Sequence, residues 1–413
     1  MFERIDWKRI LVIGAVVLVG GALLWFFFFR KTIPTQSPAV SGIFGTGSSV
    51  VLVPNTGVGT EGGEAGPIRP NQKVFKIADG PIVNAVFIQT FNPTTTIARY
   101  VMADTGHVLE VAIDTPGAVP RAVSNTTVPG IIQALWKQDG SAVIMQYVED
   151  DIVKTLSLLI TPSATSTATT TQGAPLVNFR FLPDNILSIA LSPDGKEIAY
   201  LLKSTTGATG HTASIQGTGS KRLFSLPLSQ VRLSWPSDQT LLAQTKMAAG
   251  VPGIAFAVSA KNGSVTPLLY TNGLSAMADS TFSKVVYQTT SNTSRATYAH
   301  DVRSGKDVEL SFQPIPEKCT WSLSARSFLY CAAPVGYVLP DYLERWYQGV
   351  ASVADTLFTF NVQNGTAIII TTPGGADGGI ASDIDRLSVS PEEKYLLFVT
   401  KGGRSLWGVR LAQ

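Results

Sequence analysis

The chain has 413 residues, 15% of them charged, with 32 basic and 29 acidic side chains. Ordinary globular domains are about 25% charged, so this chain is poor in ionisable residues. Five basic and two acidic residues fall in the first 31 positions, which leaves the remainder balanced at 27 against 27. A balanced domain lacks the basic footprint of nucleic-acid binding, so we expect no nucleic-acid partner.

The first predicted element is a transmembrane helix at residues 10–29, ILVIGAVVLVGGALLWFFFF, twenty uncharged apolar residues that match the thickness of a bilayer core. The alternative is a cleaved signal peptide, but the run is long for one and FFFFRKTIP offers no small-residue cleavage site. Three basic residues precede the helix and two follow it. This bias favours a cytoplasmic tail at residues 1–9 and a single-pass signal anchor with the main domain outside the cytoplasm.

Residues 30–71 are rich in Gly, Pro, Ser and Thr and nearly uncharged, which predicts a disordered linker. A second biased run, TPSATSTATTTQGAP at 161–175, predicts a long surface loop. Residues 72–413 between and beyond these segments have the apolar runs of a folded domain.

That domain repeats one unit, seen most clearly in LSPDGKEIAYLL. Ser192–Gly195 has the composition of a tight turn, and Ile198–Leu202 is a short apolar run suited to a buried strand. The first apolar residue after each such turn serves as a marker: Ile97, Val143, Ile198, Leu241, Val285, Phe328 and Leu396.

The seven markers predict a seven-bladed β-propeller, with six or eight blades as alternatives. Most spacings are 43 to 46 residues, and two are longer, at 55 and 68. A period of about 40 to 50 residues is that of a four-stranded propeller blade. Asn-Gly or Ser-Gly pairs in AKNGS, RSGK and QNGT predict a second hairpin within blades.

Ring closure is predicted to involve the start of the domain. The last repeat has only KYLLFVT and SLWGVRLA, so it is short of strands. The strand-like run Gln72–Asp79 precedes the first repeat and has no partner of its own. We therefore expect Gln72–Asp79 to complete the seventh blade, because open sheet edges are a liability.

SPDGKEIAY resembles the repeat of TolB-type propellers, in which Ser-Pro-Asp-Gly precedes a strand and a later hairpin carries Gly-Lys, as RSGK does here. The resemblance is strong at Ser192–Tyr200, partial near Trp136–Ile144 and Ser390–Phe398, and extends as a blade pattern over residues 80 to 413. It implies an all-β propeller fold and says little about function.

Cys319 and Cys331 are the two cysteines, and they flank a predicted turn at Ser324–Arg326. If Trp321 faces Leu329 in that hairpin, the cysteines are cross-strand partners. A disulfide there would indicate an oxidising compartment, and two buried free thiols are the alternative.

The longest spacing contains an insertion at about 335–355 whose core is PDYLERWYQGVASVAD. Tyr342, Trp346 and Tyr347 lie on an apolar stripe of a predicted short helix, capped by Asp341 and ended by Gly349. The stripe either packs on its own blade or forms an exposed aromatic platform for a partner. In the second case Tyr342, Trp346 and Tyr347 are the candidate partner-binding residues.

Catalytic signals are weak, so we expect no enzyme, no metal and no cofactor. The three histidines, His107, His211 and His300, have no metal-site spacing. Residues 149–151 form an acidic run typical of a solvated turn, and Asp383 and Asp385 either line the ring or lie on an ordinary edge.

The expected function is that of a non-catalytic binding or scaffold protein of the cell envelope. A propeller presents variable loops on a rigid ring, which suits recognition of a protein, peptide or glycan. The alternatives are an enzyme or small-ligand receptor with a central-channel site, and a purely structural part of an envelope assembly.

Overall fold

The computed structural model describes residues 72–411, apart from 92–93, 125, 161–176, 292–293 and 337. Within these residues the chain forms seven antiparallel sheets of four strands each, which are the blades of a β-propeller. The predicted seven-bladed all-β fold is therefore confirmed. Blades 1 to 6 are consecutive in sequence, and blade 7 combines the two ends of the described chain.

The strands are best grouped by their position in the blade. The innermost strands are β2 (Ile82–Phe91), β6 (Ile131–Trp136), β10 (Ser188–Leu191), β14 (Val231–Ser237), β18 (Ser275–Ala278), β22 (Cys319–Trp321) and β26 (Ile384–Val389). The second strands are β3 (Thr94–Met102), β7 (Ala142–Glu149), β11 (Glu197–Ser204), β15 (Thr240–Thr245), β19 (Lys284–Thr290), β23 (Phe328–Pro334) and β27 (Tyr395–Thr400).

The outer half of each blade follows the same order. The third strands are β4 (Val108–Ala112), β8 (Ile152–Ile160), β12 (Gly207–Ser214), β16 (Pro252–Ser259), β20 (Arg295–Asp301), β24 (Asp355–Asn361) and β28 (Leu406–Arg410). The outermost strands are β5 (Arg121–Ala122), β9 (Val177–Phe181), β13 (Lys221–Leu226), β17 (Val265–Asn272), β21 (Asp307–Glu309), β25 (Ala367–Thr371) and β1 (Val74–Ala78).

Every sequence marker falls in the second strand of its blade, which confirms the repeat. The reason is physical, because the turn that precedes the marker joins the inner strand to the second strand, where burial is deepest. Ile198, Leu241 and Val285 are fully buried.

Blade 7 is closed by β1, as expected from the unassigned run at Gln72–Asp79. β1 pairs antiparallel with β28, with Val74 opposite Val409 and Phe75 opposite Gly408. A Cβ on Gly408 would lie 2.5 Å from the Phe75 ring, so the glycine lets this ring pack directly on the neighbouring backbone.

The hydrophobic core lies between neighbouring blades. Phe87 and Tyr100 of blade 1 pack with Tyr395 and Leu397 of blade 7, and the Phe87 and Tyr395 rings are 6.4 Å apart. Burying a large apolar side chain contributes about 1.5–3 kcal/mol, so each interface of this kind fixes the next blade. The inner strands are consequently held at defined positions around the channel.

The predicted tail, helix and linker at residues 1–71 and the predicted loop at 161–175 lie outside the described residues. In the part of the chain that the structure describes, no helix has both the length and the apolar character needed to cross a membrane.

Candidate site at the channel mouth

One face of the ring carries a cavity of about 710 Å³. The inner strands begin on this face, which we call the mouth face, and its lining includes Ile82, Ile132, Arg232, Met277 and Asp385. The connections from second to third strands reach the same face, because each second strand runs antiparallel to its inner strand. The cavity is the entrance of the central channel, and we call it the channel mouth.

The insertion of blade 6 lies on this face, between β23 and β24. It contains the α-helix α1 (Tyr342–Tyr347), which ends at Gly349 with a φ of 76°. Asp341 occupies the predicted N-cap position, but its side chain makes no capping hydrogen bond. The backbone carbonyl of Asp341 instead accepts the amide of Arg345.

The apolar stripe of α1 faces the protein. Tyr342 and Trp346 are only 3% and 5% exposed, and with Leu343 they pack on Ile315. This corrects the expectation of an exposed aromatic platform, because a partner at the surface cannot reach those rings. Tyr347, at 46% exposed, is the accessible member of the predicted set.

Beneath α1 lies a fully buried ion cluster, the lysine triad of Lys318, Asp355 and Asp383. The Lys318 ammonium lies 2.6 Å from a carboxylate oxygen of each aspartate. Trp346 Nε1 donates to Asp383 at 2.9 Å, and the Ile384 amide donates to Asp355 at 2.8 Å. The cluster thus ties α1, blade 6 and blade 7 together.

In the triad, burial and the neighbouring charges shift the pKa values in opposite directions. Burial alone would lower the pKa of Lys318, but Asp355 and Asp383 raise it above its ordinary value. Burial raises the pKa of Asp355 to about 6, although Lys318 opposes the change. One ammonium between two carboxylates therefore leaves a surplus of negative charge in a buried place. The role of these residues is to position the wall of the channel mouth.

A second polar network crosses the mouth at blades 4, 5 and 6. Glu317 accepts from Arg232 at 2.9 Å and from Ser275 at 2.5 Å, and the hydroxyl of Tyr347 donates to the same oxygen. Burial would raise the pKa of Glu317, but Arg232 and these hydrogen bonds hold it below its ordinary value. Tyr347 is therefore anchored at its hydroxyl while its ring faces solvent.

The blade 7 side of the mouth is basic. Its lining includes Arg386 from β26 and both Lys401 and Arg404 from the turn between β27 and β28. We call these three residues the basic arc. Asp385 is the carboxylate beside them, 3.5 Å from the Arg386 side chain.

A smaller cavity of about 310 Å³ adjoins the mouth on the far side from the basic arc. It lies beside Arg232 and Tyr347, and Met247 and Leu274 supply apolar walls. A ligand in the mouth therefore has both a charged and an apolar surface within reach.

The sequence-predicted aspartates separate in the structure. Asp383 is buried in the triad, whereas Asp385 lines the mouth. The acidic run at 149–151 is an exposed turn, with Asp150 and Asp151 at positive φ.

The three histidines do not line the mouth. His107 contacts Thr127, His211 stacks on Tyr200, and His300 lies 2.9 Å from Asp307, all in the outer halves of their blades. Among the described residues, no cluster of three or more potential ligands forms a metal site.

The cysteines lie in blade 6, and Cys319 is part of the mouth lining. Cys319 on β22 pairs with Cys331 on β23, Trp321 faces Leu329 as the register predicted, and the two sulfurs form a disulfide.

Sequence reasoning missed Lys318, Asp355, Arg232, Glu317 and the basic arc. Each lies at the start of an inner strand or at a loop between second and third strands. The blade topology could have indicated them, because the starts of the inner strands and the connections from second to third strands all lie on one face. Residue type alone did not distinguish these side chains from other charged residues.

Several solved structures of other proteins are similar to this chain. TolB from Acinetobacter baumannii is 12% identical, with a TM-score of 0.41, and the match covers 80% of this chain and 63% of TolB. The Pan2 WD40 domain of Neurospora crassa is 10% identical, with a TM-score of 0.49 and coverage of 81% and 90%. An oligogalacturonate lyase in complex with manganese is 11% identical, with a TM-score of 0.48 and coverage of 82% and 99%.

These similarities concern the fold alone, and the chain spans less than two thirds of the TolB chain. No family model matches the sequence, and no curated protein matches it either.

Proposed function

We propose that the protein is a non-catalytic binding module that recognises its partner at the channel mouth. The observation that carries this proposal is a cavity of about 710 Å³ whose lining combines inner strands with α1 and the turn between β27 and β28. Binding sites are typically concave and preformed, with a few polar groups that orient the ligand. The lysine triad and the Arg232–Glu317 network supply that preorganisation.

The acidic groups of the mouth favour binding over catalysis. The Glu317 oxygen that Arg232 contacts also accepts hydrogen bonds from Ser275 and Tyr347, and the pKa of Glu317 is held low. A carboxylate in that state is a structural anchor and a poor general base at neutral pH.

The proposal includes anchoring in the cell membrane and an extracytoplasmic location. Residues 10–29 supply the apolar span, and the bias of positive charge before it favours a cytoplasmic tail. The Cys319–Cys331 disulfide is also typical of an oxidising compartment. The partner would then be a protein, peptide or glycan of the envelope.

Site-specific photo-crosslinking in intact cells tests the proposal. A benzophenone amino acid replaces Ile132, which lines the mouth and is 50% exposed. The matched control is Leu323, which is 49% exposed and lies on the opposite face. We expect a discrete adduct at Ile132 that is absent at Leu323. The same adducts at both positions, or none at Ile132, would contradict a macromolecular partner at the mouth.

A small-ligand receptor is the second candidate, because both cavities are in the size range of small-molecule sites, about 300–1,000 Å³. In that case the crosslinker at Ile132 captures no macromolecule, and a purified sample is expected to carry or bind a low-molecular-mass compound that native mass spectrometry detects.

A further inference from the structure

The charges of the channel mouth are unevenly neutralised. Glu317 is engaged with Arg232, and Asp383 is engaged with Lys318 and Trp346. These carboxylates are therefore not free to pair with the basic arc.

The basic arc has one nearby counter-charge for three cations. Asp385 lies 3.5 Å from Arg386, and both side chains are partly exposed. Among the described residues, neither Lys401 nor Arg404 forms an ion pair. Asp385 supplies one negative charge against the three positive charges of the arc, so the arc keeps an excess of positive charge.

Lys401 is the key member of the arc because it is fixed in place. Its ammonium lies 3.8 Å from the centre of the Trp346 ring and donates one hydrogen bond to the Trp346 carbonyl. An ammonium has three donors, so two remain for a ligand. Burial lowers the pKa of Lys401, and Asp383 and Asp385, which form no ion pair with it, oppose this change only in part.

We infer that the channel mouth recognises an anionic group, a carboxylate or a phosphate, through Lys401, Arg404 and Arg386. This inference rests on the proposed function, because it names the chemistry that the mouth would recognise in its partner or ligand. An anion at this point gains charge-assisted hydrogen bonds from prepositioned donors. It also compensates the unpaired ammonium of Lys401.

The test measures anion binding to the full chain in a non-ionic detergent by isothermal titration calorimetry. Citrate probes carboxylate recognition, pyrophosphate probes phosphate recognition, and spermidine controls for the sign of the charge. The test variant is Lys401→Met/Arg404→Gln, in which Met keeps the contact with the Trp346 ring. The matched control is Lys196→Met/Arg326→Gln, which removes the same charge from exposed turns on the opposite face.

We expect saturable binding of citrate or pyrophosphate and none of spermidine, with affinity reduced by at least about tenfold in the test variant. The control pair should bind as the unmodified protein does, and melting temperatures should agree across all three. Absence of saturable anion binding, or an equal loss in the control pair, would overturn the inference. A discrete adduct at Ile132 combined with no anion binding would keep the proposed function and remove only the inference.

Discussion

The two faces of the ring are stabilised in different ways. On the face opposite the mouth, turns are held by contacts between residues close in sequence, as when Asp194 accepts from Ser192 and from the Lys196 amide. On the mouth face, Lys318 reaches Asp355 and Asp383, which are 37 and 65 residues away. One face is therefore built by local sequence and the other by the assembled fold.

Some turns of the opposite face depart from this rule, since Arg99 of blade 1 donates to the Gly140 carbonyl in a turn of blade 2. The most extensive case joins blades 6 and 7. Glu393 of blade 7 accepts from the amides of Leu323 and Ser324 at 2.6 Å and from Tyr330 at 2.8 Å, all in blade 6. The two faces therefore differ least between blades 6 and 7, where long-range contacts join the blades on both faces.

The largest expected effect comes from disrupting the lysine triad, whose contacts join distant segments on the mouth face. Lys318→Met leaves Asp355 and Asp383 facing each other in a buried place without a cation. We expect a loss of about 3–5 kcal/mol in the free energy of unfolding, measured by urea denaturation, because uncompensated buried charge is costly. Lys196→Met removes an exposed lysine and is expected to change stability little. A small effect at Lys318 would contradict the structural role of the triad.

Substitution of Glu393 tests whether contacts on the face opposite the mouth also hold blades 6 and 7 together. Glu393→Gln removes the charge that accepts these hydrogen bonds, and we expect a loss of about 1.5–3 kcal/mol. Glu149→Gln, in an exposed turn, serves as the control. Equal melting temperatures for the two variants would mean that the Glu393 contacts add nothing.

A substitution in a local turn should have a smaller effect. Gly195 has a φ of 65°, and a β-branched residue there costs about 1–2 kcal/mol. Gly195→Val is therefore expected to lower the melting temperature, and Gly195→Asn to lower it less, because Asn tolerates this conformation. A Val variant as stable as the Asn variant would argue against the assigned turn.

The most gradual effect is a pH dependence that comes from Asp355 on the mouth face. The folded pKa of Asp355 is raised to about 6, so its contribution to stability is fully present below its unfolded value and is lost as pH rises through about 6. Relative to Asp355→Asn, the unmodified protein should lose on the order of 1 kcal/mol per pH unit between about pH 4 and 6. Parallel stability curves for the two proteins would show that Asp355 does not titrate in this window.

The same contrast explains what the sequence predicted. The blades and the Cys319–Cys331 register depend on patterns within one or two neighbouring strands, and these were predicted. The β1 closure was predicted for another reason, because the last repeat was short of strands and Gln72–Asp79 had no partner of its own. The lysine triad joins three separate segments, and no local pattern relates Lys318 to Asp383. The stripe on α1 was ambiguous, since Tyr342 and Trp346 have the same helical spacing whether they face the ring or a partner.

The pairing of β1 with β28 also has a kinetic consequence. β1 is synthesised before any blade exists, and its partner strand is among the last to be made, so the two must find each other across the whole domain. Contacts of such long range slow folding. Until β28 arrives, β1 lacks its hydrogen-bonding partner, and the apolar face of blade 1 that packs on blade 7 is not fully covered. Such surfaces are prone to aggregation, so closure of blade 7 ends the period in which the folding chain is most exposed to it.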